Sequence, residues 1–157
     1  MNSNSSIFEK IISDCSRFAQ GMYVNNKMVM EFVCKQIHDQ LEAYDWVGFY
    51  LCSTEEKDML ELGPYVGEST DHVKIPFGKG ICGQAAVSQE TFLIEDVTKE
   101  DNYIACSIHV KSEIVVPMFK DGQMIGQIDI DSSEINAFSK EDQLFLEKIC
   151  QIIAEKF

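Results

Sequence analysis

The sequence predicts one α+β domain in which helices pack on an antiparallel sheet. Two observations carry this prediction. Segments with helical periodicity stand at both ends of the chain, and six short apolar segments joined by turns and polar loops lie mostly between them. Such an order is typical of an antiparallel sheet with helices packed on it. A length of 157 residues suits one hydrophobic core, so a single domain is predicted over residues 1–157.

The first half of the chain alternates between the two periodicities. Apolar residues recur at helical spacing over residues 7–18 and 29–41, which predicts two amphipathic helices. Residues Trp46–Cys52 are too few and too apolar for a surface helix, so they are predicted to form a buried strand. Three further strands are predicted at Leu60–Tyr65, Val73–Ile75 and Phe92–Ile94, and a short helix is predicted at Ile81–Ser88.

The last third of the chain is predicted to contain a loop, a hairpin and a closing helix. The polar stretch Glu95–Asn102 is predicted to be a loop. Strands Glu113–Phe119 and Gln123–Asp131 flank an Asp-Gly turn. Ser139 and Asp142 have the spacing of a capping box, and helical periodicity follows them.

Charge and composition exclude several classes of partner. Thirteen basic and 26 acidic residues give a net charge of −13, which repels nucleic acid and anionic membranes. Arg17 is the only arginine, which weakens a nucleotide-binding interpretation. The N-terminus lacks the features of a signal peptide, and no apolar run approaches the ~20 residues of a membrane span, so a cytoplasmic location is expected.

Two aspartates in the Gln123–Asp131 strand are the first candidate site residues. Asp129 and Asp131 fall on one face of the strand, roughly 6.5–7 Å apart, because side chains alternate. The same alternation predicts that Met124 shares the opposite face with Ile128. A solvated face is the alternative, but aspartate is depleted in strands, so two of them favour a functional role.

The hairpin register decides whether Glu113 joins these aspartates. A three-residue loop places Glu113 opposite Asp129, whereas a two-residue Asp-Gly turn places Ile114 there and turns Glu113 away. Pro117 cannot donate to a ladder and marks a candidate bulge. We predict a register or bulge that gathers Glu113, Asp129 and Asp131 on one face. Clustered carboxylates raise one another's pKa and can hold a proton or bind an ammonium group.

Aromatic side chains supply a second candidate feature. Trp46, Gly48 and Tyr50 share one face of their predicted strand. The glycine between two aromatics predicts an open floor with two walls, which suits a small apolar or methyl-bearing group. The alternative, that both aromatics are ordinary core residues, stays open at this point.

Six cysteines at irregular spacing, without a C-x-x-C pair, predict neither a disulfide framework nor a metal site. Four of them are assigned to packing or surface positions, namely Cys15, Cys34, Cys52 and Cys150. Cys82 lies at a predicted helix N-terminus, where backbone amides lower a thiol pKa. Cys106 lies between a polar loop and the Glu113 strand and is the candidate working thiol. His109 and Lys111 favour its thiolate, while the nearby carboxylates oppose it.

Eight short segments in a fixed order carry a family resemblance: Trp46–Tyr50, Leu62–Tyr65, Val73–Pro76, Gly78–Gly83, Asp96–Val97, Ile104–Cys106, Ser112–Pro117 and Ile128–Ser132. Each is weakly specific alone, and together they are strongly specific. From about Trp46 to the final helix, the chain resembles the GAF-domain free methionine-(R)-sulfoxide reductases. The resemblance implies a GAF fold, with a central antiparallel sheet of about six strands and helices on both faces, and an often dimeric protein.

The resemblance also implies an enzyme that reduces free L-methionine (R)-S-oxide without a bound cofactor. Cys106 matches the nucleophile, which becomes a sulfenic acid. Three carboxylates hold the substrate ammonium and sulfoxide oxygen, and two aromatic rings surround the methylthio end. The matching residues are Glu113, Asp129, Asp131, Trp46 and Tyr50.

The chain departs from the family pattern at two positions. His72 stands where a resolving cysteine is usual, and Ser107 stands where an aspartate commonly follows the nucleophile. Two routes for regenerating Cys106 therefore stay open. Cys82 forms a disulfide with it, or an external thiol attacks it directly, with thioredoxin or a similar thiol donor as reductant.

A different class of function is the main alternative. GAF domains more often bind small ligands as sensors than catalyse reactions, and fold alone does not decide between the two. A non-catalytic redox or small-molecule sensor acting through a partner protein is therefore the second hypothesis. A degenerate reductase that only dimerises or binds methionine is the third.

Overall fold

The computed structural model describes residues 4–103 and 108–157. The candidate nucleophile Cys106, and Ser107 after it, lie outside the described residues. Within these ranges the helices are α1 (Ser5–Ala19), α2 (Asn26–Gln40), α3 (Gly80–Ser88) and α4 (Lys140–Ala154). The strands are β1 (Trp46–Cys52), β2 (Met59–Val66), β3 (Lys74–Pro76), β4 (Phe92–Ile94), β5 (Ser112–Lys120) and β6 (Gln123–Ser132).

These boundaries agree with the predicted elements to within a few residues. The predicted loop over residues 95–102 also contains one short 3-10 turn, Val97–Lys99. The predicted capping box at the beginning of α4 is confirmed, since Asp142 accepts hydrogen bonds from the backbone N–H and the hydroxyl of Ser139. None of the helices that the structure describes is long and apolar enough to span a membrane.

The six strands form one sheet in the order β3-β2-β1-β6-β5-β4, and every neighbouring pair is antiparallel. The predicted antiparallel sheet is therefore confirmed. Strands β1 and β6 meet at its centre, so the first and second halves of the chain contribute adjacent strands there.

Helices cover both faces of the sheet, as the family resemblance implied. Helices α2 and α4 pack on one face, which includes Val47 and Phe49, and α1 packs on these two helices. Helix α3 packs on the other face, which includes Trp46 and Tyr50. The strict alternation along β1 distributes these side chains between two separate cores, and each large side chain buried contributes roughly 1.5–3 kcal/mol.

A β-bulge sets the register of the β5–β6 hairpin. Lys120 pairs with Gln123 across a two-residue turn, and the register shifts by one residue between Met118 and Phe119. The shift lies one residue from Pro117, the predicted bulge marker. The three-residue loop is thus wrong, and the prediction of a bulge that gathers the three carboxylates is confirmed.

The same bulge corrects one prediction about the hydrophobic face. Met124 was expected beside Ile128, but it packs with the α3 side of the sheet, and Ile125 takes the place on the α4 side. An extra residue in one strand reverses the alternation on either side of it, so a pattern counted back from Ile128 fails beyond the bulge.

Candidate active site

The predicted carboxylates and aromatic residues lie in neighbouring rows on the α3 face of the sheet. Trp46 pairs with Asp131, and Asp131 pairs in turn with Glu113. In the next row, Gly48 pairs with Asp129. Residues directly opposite each other on one face have neighbouring side chains, so the aromatic and carboxylate features predicted separately form one site.

All three carboxylates are buried. Asp129 is 0%, Asp131 2% and Glu113 4% exposed. No described residue donates a hydrogen bond to either oxygen of Asp129 or of Asp131. Buried polar atoms are normally paired, because an unpaired one retains its full desolvation cost. The arrangement therefore suits a ligand that brings its own hydrogen-bond donors.

Burial also changes the protonation of these groups. Burial raises the pKa of Asp129, and the adjacent Glu113 and Cys82, which can share a proton with it, oppose the rise. Burial, and then the charge of Asp129, raise the pKa of Asp131 well above its usual range. The cluster can therefore hold a proton at a pH where isolated carboxyls are ionised, as a general acid requires.

Helix α3 brings Cys82 to the carboxylates. Its thiol lies in the first turn of the helix, is buried, and has its Sγ 3.9 Å from Oε1 of Glu113. Gln127 holds the helix to the sheet, because its side-chain amide donates to the carbonyl of Cys82 at 3.2 Å. Cys82, Glu113 and Asp129 each offer one ligand atom within 4.8 Å of the others, so these residues could hold a metal ion.

The aromatic walls are in place, but the floor between them is not open. The Trp46 indole lies over Gly48, where an added Cβ would be 2.3 Å from a ring carbon. The indole N–H donates to the carbonyl of Glu68 at 3.0 Å, and the Tyr50 hydroxyl donates to that of His72 at 2.9 Å. The predicted open floor is therefore wrong for this conformation, because the neighbouring ring fills the space that glycine leaves.

In the part of the chain that the structure describes, two cavities border the carboxylates. One of about 220 Å³ is bounded by Trp46 and Asp131 and also by Asp45, Glu68 and His109. That volume is below the ~300–1,000 Å³ typical of drug-sized ligands and suits a small metabolite. The other, of about 10 Å³, lies beside Asp129. A larger cleft between α4 and β5 is lined by none of the predicted site residues.

Three residues at the site were not assigned a binding role from the sequence. His72 lines the small cavity. Asn102 accepts a hydrogen bond from the Gly80 N–H and donates to the Gly78 carbonyl, so it fastens the chain just before residues 104–107 to the beginning of α3. The third is Gln127, which the alternation that identifies Asp129 would have found, since it lies two residues earlier in the strand.

None of the four cysteines assigned to packing or surface is among the described residues that line the two cavities at the carboxylates. Cys15, Cys34 and Cys150 are buried, and Cys52 is partly buried. Burial raises the pKa of Cys15 to about 12 and also raises the pKa of the other three. These thiols are therefore poor nucleophiles, and the packing assignment is confirmed.

Comparison with known proteins gives a consistent result. A family profile for the GAF domain matches residues 27–155. The chain is 44% identical to the free methionine-R-sulfoxide reductase of Saccharomyces cerevisiae over 110 residues, which are 69% of this chain and 61% of that protein. It is 40% identical to the Escherichia coli free methionine-R-sulfoxide reductase over 113 residues, 72% of this chain and 66% of that protein.

A solved structure extends the similarity to the whole chain. The free methionine-R-sulfoxide reductase of Neisseria meningitidis, in complex with its substrate, has a TM-score of 0.92 and 30% identity. The match covers 100% of this chain and 92% of that one. The chain thus spans slightly less than two thirds of each of the two sequence relatives but nearly all of the solved structure.

Proposed function

Since the chain belongs to the GAF-domain family of free methionine-R-sulfoxide reductases, we propose that it reduces free L-methionine (R)-S-oxide to L-methionine. The observation that carries the proposal is the buried carboxylate face, whose Asp129 and Asp131 oxygens accept no hydrogen bond from the described residues. The proposal treats residues 1–157 as one GAF domain without a resident cofactor. A homodimer is part of the same proposal.

The carboxylates and the aromatic rings have complementary tasks in this proposal. The substrate ammonium brings three N–H donors and a positive charge, which match the unpaired oxygens of Asp129 and Asp131. Its methylthio end packs against Trp46 and Tyr50. A methionine inside a peptide has a neutral amide instead of the ammonium, so a buried anionic site favours the free amino acid.

The chemical step transfers one oxygen atom. The Cys106 thiolate attacks the sulfoxide sulfur, and a protonated carboxyl of the cluster gives its proton to the sulfoxide oxygen. The attack forms a transient bond between the Cys106 sulfur and the substrate sulfur. The S–O bond of the substrate then breaks, the protonated oxygen bonds to the Cys106 sulfur, and the S–S bond breaks to release methionine and leave a sulfenic acid. The sulfoxide sulfur is reduced by two electrons and the Cys106 sulfur is oxidised by two. The raised pKa values of Asp129 and Asp131 support a carboxyl that holds this proton.

Regeneration of Cys106 needs a second thiol. A thiolate attacks the sulfenic sulfur, water leaves, and a disulfide forms. A thioredoxin-like donor then supplies two electrons and two protons by thiol–disulfide exchange. Either Cys82 or an external thiol provides the attacking sulfur, and the burial of Cys82 beside Glu113 favours the external route.

Substituting Cys82 by serine is therefore expected to leave thioredoxin-driven turnover within about threefold of the wild type. The reason is that a buried thiol is poorly accessible for thiol–disulfide exchange. NADPH consumption in a coupled thioredoxin assay measures the rate, and Cys52→Ser is the matched control. Loss of thioredoxin-driven turnover with an intact single-turnover release of methionine would assign resolution to Cys82 instead.

The proposed function is tested by measuring methionine released from both epimers of free methionine sulfoxide. The (R) epimer is expected to be reduced, and Cys106→Ser is expected to release no methionine above background. A wild-type protein no faster than Cys106→Ser would overturn the proposal. Oxidation of Cys106 by peroxide without turnover of methionine sulfoxide would favour the redox sensor acting through a partner protein.

His109 is expected to set the affinity for the substrate's α-carboxylate. Among the described residues that line the 220 Å³ cavity it is the only one with a basic side chain, and Asp45, Glu68 and Asp131 line the same cavity. His109→Ala should raise KM for free methionine-(R)-sulfoxide about tenfold to a hundredfold with little change in kcat, because a hydrogen bond to a charged group contributes ~1.5–3 kcal/mol.

The carboxamide analogue of the substrate supplies the control for this prediction, since it lacks the carboxylate. Its KM should be the same for wild type and His109→Ala. His38→Ala, which changes a histidine on α2 away from the cavity, should alter neither KM. Equal KM increases for substrate and carboxamide in His109→Ala would show that His109 does not contact the carboxylate.

A further inference from the structure

The small cavity between α3 and the sheet has the donor set of a metal site. Cys82, Glu113 and Asp129 are all buried, and each directs one ligand atom to within 4.8 Å of the other two. We propose that this site binds a thiophilic divalent cation of the zinc class and that the bound ion blocks the substrate site. The block rests on the proposed function, whereas the binding itself does not.

The ligand types select the class of ion. Thiolate and carboxylate together are zinc-type ligands, whereas magnesium and calcium prefer oxygen ligands alone. With Zn–S near 2.3 Å and Zn–O near 2.0–2.2 Å, tetrahedral ligands stand roughly 3.5 Å apart. The 3.9 Å between the Cys82 Sγ and Oε1 of Glu113 is close to that separation. A small adjustment of side chains therefore completes three ligand positions and leaves the fourth open.

The cavity itself is an independent observation. Its volume of about 10 Å³ is of the order of one water molecule or one ion and is too small for an amino acid. Asp129 is 0% exposed, and neither of its oxygens accepts a hydrogen bond from a described residue. His72 and Lys79 also line the cavity, and the imidazole is a further donor of the type that zinc accepts.

Metal and substrate use the same carboxylates, so they exclude each other. A zinc ion on Glu113 and Asp129 occupies the oxygens proposed to hold the substrate. Binding also releases the Cys82 thiol proton, because the thiolate is the ligand. The expected behaviour is reversible inhibition that a chelator relieves and that a high concentration of substrate opposes.

The test uses the reduced full chain titrated with Cd²⁺, whose bond to a thiolate gives a near-ultraviolet absorption band, and with Zn²⁺ in a calorimeter. One ion per chain is expected for the wild type and for Cys52→Ser and Cys106→Ser. Cys82→Ser and Asp129→Asn should each weaken binding by about a hundredfold or more, because loss even of an outer partner costs 10–100-fold. Denaturation curves for both variants check that they fold, and the two substitutions remove chemically different ligands.

Three results would overturn the proposal. Binding that survives in both Cys82→Ser and Asp129→Asn, or that disappears in Cys106→Ser, would place the ion elsewhere. Binding that methionine sulfoxide does not weaken would remove the proposed block. Because the titration needs no turnover, a protein that binds the ion at Cys82 but reduces no sulfoxide would refute the proposed function and leave the metal site standing.

Discussion

Asp129→Asn is expected to lower kcat/KM for free methionine-(R)-sulfoxide by about a hundredfold to ten-thousandfold, the range that general acids contribute. The substitution keeps the size of the side chain and removes both its charge and its exchangeable proton. Asp129 is fully buried, and it lies between Gly48 on strand β1 and the neighbouring strand β5. Its polar neighbours are Glu113 and Cys82. No backbone or amide N–H of the described residues donates to Asp129, so its substitution should affect chemistry rather than folding.

A second buried aspartate provides the matched control. Asp142 lies at the beginning of α4 and is 4% exposed. It accepts hydrogen bonds from Ser139 and from the hydroxyl of Tyr44. Asp142→Asn should therefore lose stability, by about 1–3 kcal/mol, and keep its kcat/KM. Urea denaturation and methionine release measured on both variants separate the two effects.

The comparison has a clear contrary outcome. If Asp129→Asn keeps full kcat/KM, then Asp129 neither binds the ammonium nor supplies the proton, and another carboxyl of the cluster does so. If both variants lose the same stability, and lose activity only in proportion to the fraction that is unfolded, the buried carboxylates are structural. The proposed mechanism would then lack its general acid.

The carboxylate site illustrates what a sequence can and cannot predict here. Alternation along β6 was enough to place Asp129 and Asp131 on one face, because that pattern is local. The position of Glu113 was not local, since it depended on the turn length and on a bulge beside Pro117. The bulge lies one residue from Pro117, which marked it in the sequence. The prediction for Met124 nevertheless followed an unbroken alternation, which the extra residue Ile125 reverses.

Other features depended on tertiary packing alone. The sequence placed Cys82 at a helix N-terminus, but its distance from Glu113 follows from how α3 docks on the sheet. Likewise Trp46 and Tyr50 were assigned to the correct face, while the rotation of the indole over Gly48 followed from its hydrogen bond to Glu68. Local patterns thus predicted which residues meet, and packing decided how.

The buried charge at Asp131 should also be visible in the stability of the ligand-free protein. Burial and the neighbouring Asp129 raise the pKa of Asp131 well above its value in the unfolded chain. A group with a raised folded pKa stabilises the fold below its unfolded pKa, near 3.9, and this contribution is lost as pH rises through the folded pKa. At neutral pH, Asp131 is therefore either protonated or a buried charge in the native state, whereas in the unfolded state it is a well-solvated carboxylate.

Asp131→Asn cannot ionise and is expected to be more stable than the wild type at pH 8, by about 1–3 kcal/mol, because an unpaired buried charge costs more than an unpaired neutral amide. The difference should shrink as pH falls and level off below about pH 3, under the unfolded pKa, where the aspartate is protonated in both states. Urea denaturation at several pH values measures it. Asp142→Asn, which loses hydrogen bonds that the native state makes, should instead be less stable than the wild type at neutral pH.

The same substitution should weaken substrate binding, so stability and activity are expected to move in opposite directions. Asp131 is 2% exposed and lies beside Trp46. A charge in this position destabilises the ligand-free fold but attracts the ammonium group of the substrate. Methionine should accordingly stabilise the wild type more than Asp131→Asn, because a ligand stabilises the native state in proportion to its affinity. A variant that is less stable at every pH, with unchanged response to methionine, would show that Asp131 supports the fold and does not hold the substrate.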